Sequence, residues 1–236
     1  MFKKLLSLLR KHRHPASPAG EPGHASAPSG DAVPPYRLEE LKLIYELMFC
    51  DDATLYRPAQ DGAAPPSAVL FGMQAEHAVV RAIADDKDEE SRVRILAYNW
   101  LRENGHAVTP RELLGVIVEV PLDEGLDVLA AYADGSVRYI NQTGRFAVFE
   151  GVPGDIAARA QALVAAAAAA CRQAGAAHAR TAAPPVAGNI RLTYLVSDGL
   201  VAREGLFETM AQDKHAQWVI QSAQGLLELV VKQAAE

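Results

Sequence analysis

The sequence predicts an α+β fold: an antiparallel meander sheet of four to five strands with helices packed on one face. Three observations support this prediction. Four short apolar segments follow one another between residues 115 and 150, with tight turns between them. Segments with helical periodicity come before and after this run. Half of the 236 residues are hydrophobic and 22% are charged, which is typical of globular proteins and not of disordered ones.

Composition divides the chain into three zones. Residues 1–14 are basic, residues 15–35 consist almost entirely of Pro, Ala, Ser and Gly, and residues 36–236 carry the patterning of a core. A segment as poor in apolar side chains as 15–35 cannot offset the entropy of ordering, so it is predicted to be a flexible linker. We expect residues 36–236 to form a single α+β domain that folds on its own.

The third zone opens with helical patterning. Apolar residues recur at helical spacing over residues 38–48, opposite several glutamates. The same spacing predicts helices over 74–84 and 91–104, and Gly105 is expected to end the second of these. The segment Thr109-Pro110-Arg111-Glu112 has the pattern of a capping box, which predicts a short helix there.

Four β-strands are predicted next, in the segments GVIVEVP, LDVLAAY, VRYIN and RFAVFE. Asp134-Gly135 predicts a type I′ turn between the second and third strands, in which Gly135 needs a positive φ. The segment RYINQTGRFAV, residues 138–148, resembles one hairpin of the WG repeat family, and the resemblance implies a hairpin between the third and fourth strands. Connections this short make the strands sequential antiparallel neighbours.

The remaining chain continues the α+β pattern. Residues 155–179 form an Ala-rich segment that predicts a helix, because Ala has the highest helix propensity. A fifth strand is predicted over residues 190–196, followed by a turn at Ser197-Asp198-Gly199. A last amphipathic helix is predicted over residues 213–234.

Charge and composition exclude several classes of protein. Residues 1–35 hold five bases and two acids, whereas the other 201 residues hold 18 bases and 27 acids. An acidic body without basic clusters predicts no nucleic-acid partner, because phosphate contacts need clustered Lys and Arg.

No apolar stretch approaches the ~20 residues needed to cross a bilayer. No secretion signal is visible, and Cys50 and Cys171 read as small buried hydrophobes, so a cytoplasmic location is expected.

The sequence offers few candidates for a chemical site. The acidic run at residues 85–90 lacks the spacing of a calcium loop, and the seven histidines share no metal-ligand spacing. No nucleotide-binding or nucleophile motif is present. We therefore predict neither a metal nor a cofactor. An enzyme would have to assemble its site from scattered polar residues such as Asp127, Arg138, Tyr139 and Asp198.

The sharpest functional signal lies in residues 1–14. On a helix, the apolar side chains of this segment share one face and the bases share the opposite face. The residues are Phe2, Leu5, Leu6, Leu8 and Leu9 on the first face and Lys3, Lys4, Arg10 and Lys11 on the second. A helix of this kind binds anionic membrane surfaces, and the same spacing serves helices that dock in a protein groove.

Residues 1–35 also resemble the extensions of cargo proteins of bacterial protein-shelled compartments, in which an amphipathic helix precedes a Pro/Ala/Ser linker. That resemblance implies docking on a protein. Taken with the absence of a catalytic motif, these features favour a non-enzymatic, adaptor-like protein-interaction module. Its N-terminal helix would attach it to the inner membrane surface or to a partner groove. The alternative is an enzyme of unknown class.

Overall fold

The computed structural model describes residues 36, 38–52, 55, 75–122, 125–151, 154–176, 180 and 183–234. The predicted amphipathic helix at 1–14 and the predicted linker at 15–35 lie outside these residues. The helices and strands follow in this order: α1 Glu39–Leu47, α2 His77–Asp85, α3 Ser91–Glu103, β1 Leu113–Leu122, β2 Gly125–Tyr132, β3 Val137–Ile140, β4 Phe146–Phe149, α4 Asp155–Gln173, β5 Asn189–Val196, β6 Gly199–Leu206, α5 Phe207–Met210 and α6 Ala216–Gln233.

All six strands belong to one antiparallel sheet with the order β4-β3-β2-β1-β5-β6. The predicted α+β class is confirmed, and the first four strands form the predicted meander. β5 pairs with the free side of β1, and β6 extends the sheet beyond it. The sheet therefore has one strand more than the highest number predicted. Strand β6 was missed because Arg203, Glu204 and Gly205 interrupt its apolar pattern.

Helices cover both faces of the sheet, which corrects the prediction that they cover only one. Helices α4 and α6 pack on the face that carries Val116 and Val118. Helices α1, α2 and α3 contribute to a second cluster on the opposite face, with Ile117 and Val128. The reason lies in β1 and β2, which are apolar at consecutive positions and not only at alternate ones. Strands of this composition are buried on both sides.

The β2–β3 turn differs from the predicted type I′ geometry. The Gly135 N–H donates to the Tyr132 carbonyl, and the Tyr132 N–H donates to the Ser136 carbonyl, each at 3.0 Å. The connection is therefore a three-residue loop, and a positive φ of 92° occurs at Gly135 but not at Asp134. The Asp134 carboxylate accepts hydrogen bonds from the backbone N–H groups of Ser136 and Ser91. The turn is thereby bound to the first residue of α3.

The predicted short helix at Thr109–Glu112 does not form, and β1 begins two residues after Arg111, whose φ is 53°. Tertiary contacts of Glu112 oppose the capping box. Its carboxylate accepts a hydrogen bond from Arg94 of α3 at 2.7 Å, and its backbone N–H donates to the Ser197 hydroxyl at 2.9 Å. These partners hold Glu112 beside the β5–β6 turn, immediately before β1 begins.

The start of α6 depends on the carboxylate of Asp213. Its Oδ1 accepts hydrogen bonds from the backbone N–H groups of His215 and Ala216 at 3.0 and 2.8 Å. The guanidinium of Arg203 lies 3.3 Å away. The Ala216 N–H, the Arg203 side chain and the His215 N–H together hold the pKa of Asp213 well below its usual range. The carboxylate thus caps the N-terminus of the last helix.

Replacing Asp213 by alanine is expected to destabilise the chain by about 1 kcal/mol at pH 7, the usual cost of losing a cap. The folded pKa of Asp213 is lowered. Its contribution is therefore complete above the unfolded pKa of about 4 and is lost as the pH falls through the folded value. Urea unfolding at pH 7 and at pH 2.5 measures this. A penalty that stays constant between the two pH values would contradict the capping role.

Candidate functional site

The four polar residues considered for an enzyme do not converge. Asp127 and Tyr139 do meet, because the Tyr139 hydroxyl donates to Asp127 Oδ2 at 3.2 Å. The backbone N–H of Gln142 donates to the other oxygen of Asp127 at 2.8 Å. Burial raises the pKa of the Asp127 carboxyl, and these two donors oppose the rise.

Arg138 and Asp198 lie elsewhere. Arg138 is adjacent to Tyr139 on a strand, so its side chain points to the opposite face, where it forms an ion pair with Glu150. Asp198 lies in the β5–β6 turn, 3.5 Å from Arg111. This turn is at the Leu113 end of β1 and Asp127 is at the Val120 end, which places them roughly 23 Å apart along the strand.

A charged cluster is instead centred on Glu119, which is 0% exposed in the middle of β1. The Tyr45 hydroxyl of α1 donates to Glu119 Oε1 at 2.8 Å. The guanidinium of Arg191, its cross-strand partner on β5, lies 3.7 Å from Oε2. Burial raises the pKa of Glu119, and Arg191 and the Tyr45 hydrogen bond oppose the rise. The cluster joins α1 to two central strands.

Two arginines, Arg191 and Arg180, supply the positive charge of this cluster. Arg191 also binds the Glu204 carboxylate through Nη2 at 2.9 Å and through Nε at 3.1 Å, so it lies between two acids. Arg180 stands over the Phe49 ring at 4.5 Å from its centroid and forms an ion pair with Asp51 at 2.7 Å. Each charge in the cluster has an opposite charge within 4 Å, but Glu119 Oε2 accepts no hydrogen bond from the described residues and meets Arg191 only at 3.7 Å. The buried carboxylate is therefore paired without being fully hydrogen-bonded. The arrangement of the cluster is suited to holding α1 against the sheet.

Replacing Glu119 by glutamine is expected to change how stability depends on pH. The folded pKa is raised, so the wild-type chain loses stability as the pH rises from the unfolded pKa, about 4.3, through the folded value. Glutamine does not titrate. The free energy of unfolding of Glu119→Gln should therefore rise relative to that of wild type over this pH range. Above the range the difference between the two should stay constant. Urea unfolding at closely spaced pH values measures this difference. If the free energies of unfolding of the two proteins run parallel across the whole pH range, the predicted pH dependence is wrong.

The outer edge of β4 is a second candidate for a functional site, because it carries exposed apolar side chains. Among the described strands, β4 pairs only with β3, so its other side faces outward. Phe146 is 57% exposed and Val148 is 43% exposed, and alternation places both side chains on the same face of the sheet. The four residues of β4 include no charge. Sheet edges are usually protected by charges, proline or a covering element, and charge protection is missing here.

The hydrogen-bond pattern shows which backbone groups of β4 are free. The Asn141 N–H donates to the Arg145 carbonyl at 2.8 Å, which makes these two residues a hydrogen-bonded pair. In an antiparallel ladder such pairs alternate, so Ala147 and Phe149 also direct their N–H and C=O groups toward β3. The N–H and C=O groups of Phe146 and Val148 consequently point away from the sheet.

An open groove of about 460 Å³ runs beside this edge, between the β3–β4 hairpin and the end of α6. Its lining combines apolar and polar residues: Tyr139, Asn141, Gly144, Arg145, Phe146, Ala147, Val231 and Ala234. The groove lies on the α6 side of the strand, together with Ala147, whereas alternation directs Phe146 and Val148 toward the α1 side. The strand edge adjoins both sides, and we call the edge with its groove the β4 surface.

The hairpin that carries the β4 surface is closed by hydrogen bonds within its own turn and packs on α1. Asn141 Oδ1 accepts hydrogen bonds from the backbone N–H groups of Thr143 and Arg145 at 3.0 and 2.9 Å. Gly144 has a φ of 82°, and a Cβ added there would collide with the Leu41 side chain of α1. The turn therefore packs closely on α1, so the exposed strand is presented by a fixed scaffold.

Sequence reasoning did not identify the β4 surface or the Glu119 cluster. For Glu119 a signal was present, since it is the single acid in the apolar run GVIVEV. The predicted site at residues 1–14 lies outside the described residues. Two of the seven histidines, His77 and His106, stack with their ring centroids 4.0 Å apart, a contact that their spacing in the sequence does not indicate.

Within the part of the chain that the structure describes, no group of three or more His, Cys, Asp or Glu side chains is placed to hold a metal ion. None of the helices described there has the length and apolar character needed to cross a bilayer. Comparisons with protein-family models, with curated proteins and with solved structures found no match to this chain.

Proposed function

We propose that the chain is a non-enzymatic, adaptor-like interaction module of the cytoplasm. Its folded part binds protein through the β4 surface. Residues 1–14 attach it to an anionic membrane surface, with docking in a partner groove as the alternative. The observation that carries the protein-binding half is the open, uncharged edge of β4 with Phe146 and Val148 exposed on it.

Strand addition is the form of binding that this edge supports. An extended segment from a partner would take up the outward N–H and C=O groups of β4, and its side chains would cover Phe146 and Val148. The other edge of the described sheet offers less. β6 carries Arg203 and Glu204, and charges of this kind are the usual protection of an edge strand.

Photo-crosslinking from position 146 tests this function. A benzophenone amino acid would replace Phe146 in the full chain, expressed in the cells that naturally make it. Trp218, which is 59% exposed on α6, provides a matched aromatic control. We expect a discrete crosslinked protein from position 146 and none from position 218. Equal labelling from both positions, or none from position 146, would overturn the proposal.

A further inference from the structure

We infer that the protein bound at the β4 edge is a second copy of this chain, paired antiparallel to the first about a two-fold axis at Ala147. This inference rests on the proposed function, because it uses the same edge and names the occupant. Pairing of this kind would join the two six-stranded sheets into one.

The backbone of β4 is self-complementary in this register. In a two-fold interface, residue i contacts residue j and j contacts i. With the axis at Ala147, Phe146 of each chain faces Val148 of the other. These are the two residues whose N–H and C=O groups point outward, as the Asn141–Arg145 pairing establishes. Each facing pair exchanges two backbone hydrogen bonds, so the interface has about four.

The side chains match in the same register. Facing residues of paired strands point to the same side of a sheet. Phe146 and Val148, exposed by 57% and 43% in the single chain, would cover each other in two symmetric pairs. On the other side, the exposed Arg145 faces Phe149 of the second copy, where a guanidinium and an aromatic ring attract. No two like charges face each other across the strands.

The neighbouring register is less favourable. An axis at Val148 would also align outward backbone groups, but it places Phe146 opposite Glu150. The Glu150 carboxylate already forms ion pairs with Arg138 and Arg92. An apolar ring would then cover a charged group, at a cost in desolvation that the register at Ala147 avoids.

Disulfide trapping of the full chain tests the register directly. With the axis at Ala147, this residue faces itself at a non-hydrogen-bonded position, where Cα atoms lie about 4.5 Å apart. That distance is within the range that a disulfide bridges. The native Cys50 and Cys171 are buried and Ala147 is half-buried, so the thiol of Ala147→Cys is more accessible to a mild oxidant than the native thiols. We expect a covalent dimer from Ala147→Cys, and at least ten times less from Leu206→Cys on the β6 edge. Equal yields would overturn the inference.

Sedimentation of the unmodified full chain provides the second measurement. We expect the chain to dimerise reversibly at protein concentrations of about 1–100 μM, because an interface formed by one short strand is at the weak end of specific interfaces. Phe146→Lys should weaken it at least tenfold, because a charge on an edge strand opposes pairing. Leu206→Lys, at a residue 61% exposed on the other edge, should leave it unchanged. Retained thermal midpoints show that both variants fold.

The outcomes separate this inference from the proposed function. A wild-type chain that stays monomeric throughout overturns the second copy as occupant. Crosslinking from position 146 to a different protein would then still support the proposed function. A monomer with no crosslink from position 146 overturns both.

Discussion

Replacing Gly135 by alanine is expected to destabilise the folded chain by about 2–5 kcal/mol. Two costs combine at this position. Gly135 has a φ of 92°, and an L-residue in the left-handed region costs roughly 1–2 kcal/mol. A Cβ there would also lie 2.9 Å from the Cβ of Ala157 in α4. Neither atom can rotate away, so the turn or the helix must move, and overpacking of this kind costs about 1–3 kcal/mol.

Gly105→Ala is the matched control for this substitution. Gly105 has a φ of 75°, and a Cβ added there meets no atom within 4 Å. It therefore carries the backbone cost alone, roughly 1–2 kcal/mol. Urea unfolding of both variants at pH 7 separates the two contributions. Equal losses of stability at the two glycines would show that the β2–β3 turn does not rest on α4.

Local signals in the sequence account for most of the fold. The helix predicted over residues 91–104 is found at Ser91–Glu103, and it ends where Gly105 takes up a positive φ. The meander was predictable because its turns are too short for any connection but an antiparallel one. Apolar periodicity and turn chemistry depend on neighbouring residues, which a single sequence displays in full.

Features that depend on distant parts of the chain were not predictable in this way. The coverage of both sheet faces was visible only as consecutive apolar residues in β1 and β2, which the pattern of alternation alone does not capture. The position of β4 at an edge depends on where β5 joins the sheet. Since β5 pairs with β1, β4 has a neighbour on one side only among the described strands. No local pattern in β4 contains that information.

The candidate site shows the same division. Glu119 was conspicuous as one acid in an apolar strand, but its hydrogen-bond donor, Tyr45, is 74 residues away along the chain. Spacing cannot reveal such a pair. The same holds for the predicted group of Asp127, Arg138, Tyr139 and Asp198. Residue type alone does not show which side chains meet, and sheet geometry separates Arg138 and Asp198 from the other two.

Attachment through residues 1–14 is the part of the proposed function that gives the prediction with the largest effect on binding. Full-length protein is expected to sediment with anionic vesicles at low salt and to be released progressively as salt rises. Screening weakens the attraction of the basic residues, whereas the apolar face adds a part that salt does not affect. Lys3→Gln with Lys4→Gln should weaken binding by about 1 kcal/mol per charge removed near the surface. Neutral vesicles should retain little protein.

Leu5→Asp combined with Leu9→Asp should abolish vesicle binding, because it places two acids in the middle of the apolar face. The matched control is Ser7→Asp with Ser17→Asp, which changes the net charge equally and removes no apolar side chain. This control should keep part of the binding. If both double variants bind equally well, charge alone attaches the chain and the helix is not inserted. If the wild-type chain ignores anionic vesicles at low salt, membrane attachment is wrong, and the Leu5/Leu9 variant then tests docking of residues 1–14 in a protein groove.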